Sequence, residues 1–191
     1  MRKVGVLALQ GAFAAHARVL RGLGAEPAEI RTPAQLDDVD ALVIPGGEST
    51  TISMLLETSG LFEPIRDRLA RGTMPTLGTC AGLILLATEV LDGRPDQRSF
   101  GVLDIAARRN GFGRQVDSFE ADLAVDGLEG GPFHAVFIRA PVVERVGEDV
   151  HVLASVDSKP VLVRQGAIMA AAFHPELSDD DRIHRLFLEG V

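Results

Sequence analysis

Short apolar runs rich in Val, Ile and Leu alternate along the chain with stretches whose apolar positions recur at helical spacing. Such runs mark strands buried on both faces between helices, so the pattern predicts an α/β fold with a mostly parallel sheet. Residues 3–9 read as the first strand. Phe13, Ala17, Leu20 and Leu23 line one face of a helix over about 12–23, which Gly24 ends. A second strand is expected over 40–44, broken by Pro45-Gly46-Gly47. Helices follow over 49–57 and 62–71, then a strand over 75–79 that runs into a helix over 81–90.

Beyond residue 100 the pattern changes. Runs near 101–108, 135–140, 151–156, 160–165 and 167–173 follow one another without clear helices, which predicts an antiparallel extension of the sheet. A last helix carries Ile183, Leu186 and Phe187 on its buried face, and Ser178 with Asp181 three residues on reads as its capping box. No repeat, linker or low-complexity tract interrupts the chain. Its 191 residues suit one domain spanning 1–191.

Composition narrows the partners. A formal charge of −8 and the lack of a basic stripe argue against nucleic acid, leaving small molecules or another protein. The lone Cys80 excludes an intramolecular disulfide and makes the cytoplasm the expected compartment. The apolar run at 3–9 is too short to span a membrane, and no cleavage site follows a leader-length segment, so neither a membrane nor a secretory route is expected.

The chemistry centres on Gly78-Thr79-Cys80-Ala81-Gly82, a G-x-nucleophile-x-G segment between a predicted strand and a predicted helix. The glycines suit a sharp turn that holds a nucleophile in a strained conformation, and a helix N-terminus favours thiolate over thiol. A buried cysteine packing as a small hydrophobe is the alternative. His174 ends an apolar run, where ligands collect in open α/β sheets, and Glu176 stands two residues on. In extended chain these two face the same way, so the carboxylate can orient the imidazole; a solvated strand exit would look the same. Oxyanion donors are expected from the backbone N–H of Ala81 and from the Gly46-Gly47 loop, where Gly47 is the candidate. That loop also reads as a plain βα turn with Ser49 capping the next helix. His16, His134, His151 and His184 show no metal-ligand spacing and are assigned to surface or core; no metal or cofactor is expected.

Gln10-Gly11, Pro45-Gly46-Gly47-Glu48-Ser49-Thr50-Thr51, the Cys80 segment, Phe112-Gly113-Arg114-Gln115-Val116-Asp117-Ser118-Phe119, Phe137-Ile138-Arg139-Ala140-Pro141 and Phe173-His174-Pro175-Glu176 together resemble the glutaminase subunits of pyridoxal 5'-phosphate synthase. The resemblance spans nearly the whole chain. It implies a three-layer, flavodoxin-like or Rossmann-like fold of the class I glutamine amidotransferase type. It also implies hydrolysis of L-glutamine to glutamate and ammonia by a Cys80–His174–Glu176 triad. The ammonia passes to a synthase subunit that builds pyridoxal phosphate from a pentose phosphate and a triose phosphate. Carried over by position, glutamine contacts fall on Gly47, Glu48, Ser49, Arg109, Ile138 and Arg139. Gln10 and Gly11 fall near the oxyanion site, at a loop that partner docking activates. Read without the resemblance, Arg109 and Arg139 are better explained by surface ion pairs. Two departures stand out: Gly111 where a serine is expected, and a chain stopping at Gly190-Val191. Three rival readings remain: a glutaminase serving another synthase, a cysteine hydrolase of another class, and an interaction module without activity.

Overall fold

The computed structural model describes residues 2–109 and 118–191. In chain order the elements are β1 (Lys3–Leu7), α1 (Phe13–Gly22), β2 (Glu26–Ile30), α2 (Pro33–Leu36), β3 (Ala41–Ile44), α3 (Ser49–Thr58), α4 (Phe62–Ala70), β4 (Thr76–Thr79), α5 (Ala81–Leu86) and β5 (Ala87–Leu91). There follow β6 (Leu103–Arg108), β7 (Ser118–Leu123), β8 (Phe133–Ile138), β9 (Val142–Val146), β10 (His151–Val156), β11 (Lys159–Gln165), β12 (Ile168–Ala171), a 3-10 turn over Pro175–Leu177, and α6 (Arg182–Leu188).

Among the described residues, one large sheet has the order β10-β11-β12-β4-β3-β1-β2. Its run from β12 to β2 is parallel, and β11 and β10 continue it antiparallel, giving the expected α/β three-layer fold. Every residue of β3, β4 and β12 is buried, which is why β3 and β12 read as unbroken apolar runs. Their registers set Ile44 beside Gly78 and Ala171 beside Thr79, so the chain leaves three adjacent strands at one edge of the sheet. Loops from distant parts of the sequence meet there, as ligand-binding loops do in open α/β sheets.

The local readings need several corrections. The helix expected over 81–90 stops at Leu86: Ala87 turns to extended backbone, and 87–91 pairs in parallel with β6. Six consecutive buried residues in α5 carry no polar face, so periodicity has nothing with which to mark the end. The strands near 101–108 and 135–140 join separate small sheets, β5-β6-β9 and β7-β8, and only β10 and β11 extend the main sheet. Missed outright were β2, whose Glu26-Pro27-Ala28-Glu29-Ile30 is a largely exposed edge, and β7, β9 and the one-turn α2. The capping box at Ser178 does not form. The last helix starts at Arg182, and the Ser178 hydroxyl oxygen accepts from the Asp180 N–H instead. Ile183 and Phe187 are buried as expected, with Leu186 half-buried.

Close backbone packing explains the glycines around Cys80. A Cβ on Gly82 would overlap the Ile44 carbonyl oxygen at the end of β3, and one on Gly78 would lie 2.6 Å from Leu86 and 2.8 Å from the Gly82 backbone. Gly82→Ala must therefore push α5 off β3, and it is expected to lower the unfolding free energy by about 1–3 kcal/mol. By contrast, a Cβ on Gly22 would meet nothing within 4 Å, so Gly22→Ala is expected to be neutral or to stabilise by up to about 1 kcal/mol. Urea unfolding midpoints of the two variants, compared at equal slope, check the contrast.

Candidate active site

Cys80 stands between β4 and α5 with φ 51° and ψ −104°, a conformation rare for a residue with a side chain. Its N–H donates to the Ala171 carbonyl at 2.8 Å, which ties the turn to β12. The residue is 7% exposed, and its sulfur lies 3.9 Å from the Ile138 carbonyl oxygen at the end of β8. His174 follows β12 and is anchored by its own N–H donating to the Val136 carbonyl of β8 at 2.8 Å. Between them sits Gly46, where a Cβ would fall 2.5 Å from His174 Cε1 and 3.2 Å from Cys80 Cβ. Only a glycine lets imidazole and thiol share this space.

Glu176 Oε1 lies 2.8 Å from His174 Nδ1, and the carboxylate is 2% exposed. The geometry that brings them together is not the expected one. Glu176 belongs to a 3-10 turn rather than to extended chain, so the turn and not strand alternation brings the carboxylate to the ring. Burial is the largest influence on His174 and favours its neutral form. Hydrogen bonds to Cys80 and Glu176, with their charges, outweigh it and raise the pKa to about 10. Burial likewise opposes ionisation of Glu176, but the bond to His174 and the nearby imidazoles hold its pKa below the usual carboxylate value. His174 thus stands with the Cys80 sulfur on one side and the Glu176 carboxylate on the other, a setting that favours its protonated form.

Cys80 and His174 open onto a cavity of about 190 Å³. Cys80, Ala81 and His174 form one side; Gly47, Glu48, Ser49, Arg109, Ile138 and Arg139 form the rest, together with Ile84, which sequence reasoning did not single out. Glu48, not Ser49, caps α3: its carboxylate accepts from the N–H groups of Thr50 at 3.1 Å and Thr51 at 2.7 Å. The Arg109 guanidinium donates to Glu48 Oε1 at 2.8 Å and to the Thr50 hydroxyl at 3.2 Å. Burial opposes ionisation of Glu48, and the bonds from Thr51 and Thr50 with the Arg109 charge overcome it, so its pKa is lowered. Arg139 has φ 42°, so it too sits in a strained backbone position at the cavity wall.

Gln10 and Gly11 lie behind the cavity rather than in its wall. Gln10 Oε1 accepts from the Glu48 N–H at 2.9 Å, and a side chain on Gly11, with φ 95°, would overlap the Gly46 carbonyl oxygen. The turn after β1 therefore props up the 45–48 loop. The motif at 112–117 and the departure at Gly111 fall outside the described residues. His134 and His151 are exposed, whereas His16 and His184 are fully buried and close to Glu176. Their burial, though not their approach to Glu176, was readable: each lies on the apolar face of its helix, one turn from Phe13 and Phe187 respectively.

The chain matches the SNO glutamine amidotransferase family over residues 6–191. It is 59% identical to the pyridoxal 5'-phosphate synthase subunit PdxT of Frankia alni over 189 residues, covering 99% of this chain and 94% of that one. Its identity to the subunit of the same name from Thermus thermophilus is 57%, covering 97% and 96%. A crystal structure of a glutamine amidotransferase superposes with a TM-score of 0.92 at 53% identity, covering 97% of each chain.

A histidine whose folded pKa is raised binds more protons when folded, so its contribution is complete below its unfolded value of about 6.5 and vanishes as pH climbs through about 10. Unfolding free energy is expected to fall across that interval, and to fall less steeply in His174→Gln. Denaturant titrations of both proteins at several pH values check this; equal slopes would contradict the raised pKa.

Proposed function

The chain belongs to the SNO glutamine amidotransferase family, and from that footing we propose that it hydrolyses L-glutamine to L-glutamate and ammonia as the glutaminase subunit of a pyridoxal 5'-phosphate synthase. The whole chain, 1–191, acts as one glutaminase domain. The observation that carries the reading is the convergence of Cys80 and His174 on one cavity, with Glu176 bonded to the imidazole from behind and the nucleophile in a strained turn at a helix start.

The reaction runs through a thioester. The Cys80 thiolate attacks the side-chain amide carbon, and the carbonyl electrons move onto oxygen, where the N–H groups of Gly47 and Ala81 stabilise the charge. As the intermediate collapses, the C–N bond breaks and His174 gives its proton to the departing nitrogen, a role its raised pKa suits. Water then enters. The imidazole, now neutral, takes its proton, and hydroxide adds to the thioester; glutamate leaves and the thiolate–imidazolium pair returns. Glu176 keeps Nδ1 protonated and directs Nε2 at the reacting atoms throughout. No step calls on a metal or organic cofactor.

A cavity of about 190 Å³ suits an amino acid. Glu48 faces the substrate ammonium, Arg109 and Arg139 its carboxylate, and Ser49, Ile138 and Gly47 complete the contacts. Ammonia released into water protonates and loses its nucleophilicity, so a synthase subunit docks round the cavity mouth and receives it by a dry route. The face includes the Gln10 turn and the exposed Ile138. The assembly works in the cytoplasm; among the described residues no helix is long and apolar enough to cross a membrane.

Glutamate release should rise strongly when the synthase subunit is added and vanish in Cys80→Ala. Amide-15N glutamine should deliver its label to pyridoxal phosphate. Label reaching a different acceptor instead would assign the chain to another synthase. Arg109→Met should raise KM for glutamine about 10- to 100-fold, the worth of one hydrogen bond to a charged group, while kcat changes less. Steady-state kinetics of the reconstituted complex check this.

A further inference from the structure

Behind Glu176 lies a pair of imidazoles that the proposed mechanism leaves unused. His16 on α1 and His184 on α6 are both 0% exposed. His16 Nδ1 stands 2.9 Å from His184 Nε2, and its Nε2 stands 3.2 Å from the Thr79 hydroxyl and 3.3 Å from Glu176 Oε2. Glu176 Oε1 is held by His174, whereas buried Oε2 and buried His184 Nδ1 have no well-aligned hydrogen-bond partner among the described residues.

Two tautomer patterns can fill the bond between the rings, and the surroundings separate them. If His16 carried its proton on Nδ1 and donated to His184, His184 would carry its own proton on Nδ1. That N–H would be buried without an acceptor, and the bare Nε2 lone pair of His16 would face a carboxylate. Both ends would be unfavourable. In the reverse pattern His184 donates from Nε2 to His16 Nδ1, and His16 directs its Nε2–H toward Thr79 Oγ1 and Glu176 Oε2. The losses are then lone pairs, one on His184 Nδ1 and one on Glu176 Oε2 that the N–H approaches at 3.3 Å without full alignment, and these are cheaper orphans than a buried N–H. Burial above all lowers both pKa values, to about 4 for His16 and about 3 for His184, so both rings stay neutral at physiological pH. What they offer is a directed N–H rather than a charge.

We infer that His16 is a positioning residue for the reaction proposed above: fixed by His184 in the Nε2–H form, it steadies the second oxygen of Glu176 so that the first stays on His174. The chain of contacts then runs His184, His16, Glu176, His174, Cys80, and it links α1 and α6 to the nucleophile turn. Thr79, one residue before Cys80, shares the same N–H and ties the relay to that turn. The inference rests on the reading of Cys80, His174 and Glu176 as the reacting set.

Two measurements test it. In the full-length chain labelled with 15N-histidine, the ring-nitrogen shifts of His16 and His184, assigned through His16→Gln and His184→Gln, should show both as neutral Nε2–H tautomers at pH 7. An Nδ1–H form of His16 overturns the inference whether or not the chain hydrolyses glutamine. In the complex with the synthase subunit, His16→Leu should lower kcat about 10- to 100-fold, the rate equivalent of one hydrogen bond to a charged group, with KM nearly unchanged. His16→Gln, which keeps an N–H where Nε2 stood, should recover most of that loss. Unchanged kcat in His16→Leu, a loss confined to KM, or no recovery in His16→Gln would each overturn it. Should His16→Leu fail to fold, the tautomer pattern of the unmodified chain still decides. Glutamine turnover that survived in Cys80→Ala would remove the glutaminase reading alone, and the tautomer result would stand separately.

Discussion

The site exists because three main-chain segments approach one another more closely than side chains permit. Gly82 presses its backbone against the Ile44 carbonyl, Gly46 leaves room for the His174 ring beside Cys80, and Gly11 packs against the Gly46 carbonyl. These contacts join the turn after β1, the exit of β3 and the start of α5 into one rigid cluster. The strain at Cys80, with φ 51°, is sustained by that cluster and by the backbone bond from Cys80 to Ala171. Remove the close approach and neither the orientation of the sulfur nor the position of the imidazole survives.

Electrostatics follow from that packing. A buried imidazole would ordinarily lose its proton, and His174 keeps it because partners on both sides supply more than burial removes. His16 and His184 lie deeper still, and burial prevails there, lowering both pKa values. Charged and neutral imidazoles thus flank a single carboxylate. Glu48 and Arg109 form the corresponding pair at the cavity wall, where the carboxylate caps α3 and the guanidinium closes over it. The chain belongs to the SNO glutamine amidotransferase family and superposes closely on a glutamine amidotransferase structure.

Much of this was legible in the residues. Strands buried on both faces announced themselves as unbroken apolar runs, and the G-x-Cys-x-G frame with His174 and Glu176 could be singled out because glycine and nucleophile spacing is a local property. Where a segment's environment is not uniform the reading failed. β2 and β7 are partly exposed, with charged residues that hide their pairing; the wholly apolar α5 passes straight into β5, and that change from helix to strand depends on β6 lying alongside.

The order of strands, the meeting of loops separated by more than a hundred residues and the placing of two buried histidines behind Glu176 were decided only by the tertiary structure. Sequence by itself determined the α/β class, the strained turn at Cys80 and the pairing of His174 with Glu176, since each depends on neighbours close along the chain. It expected extended backbone for that pair, whereas a 3-10 turn makes the contact. His16 meets Glu176 and His184 only after α1 and α6 have docked, and no spacing in a linear chain encodes a contact between residues 168 positions apart. Local chemistry can be read from order alone; which buried groups share a proton depends on how the layers pack.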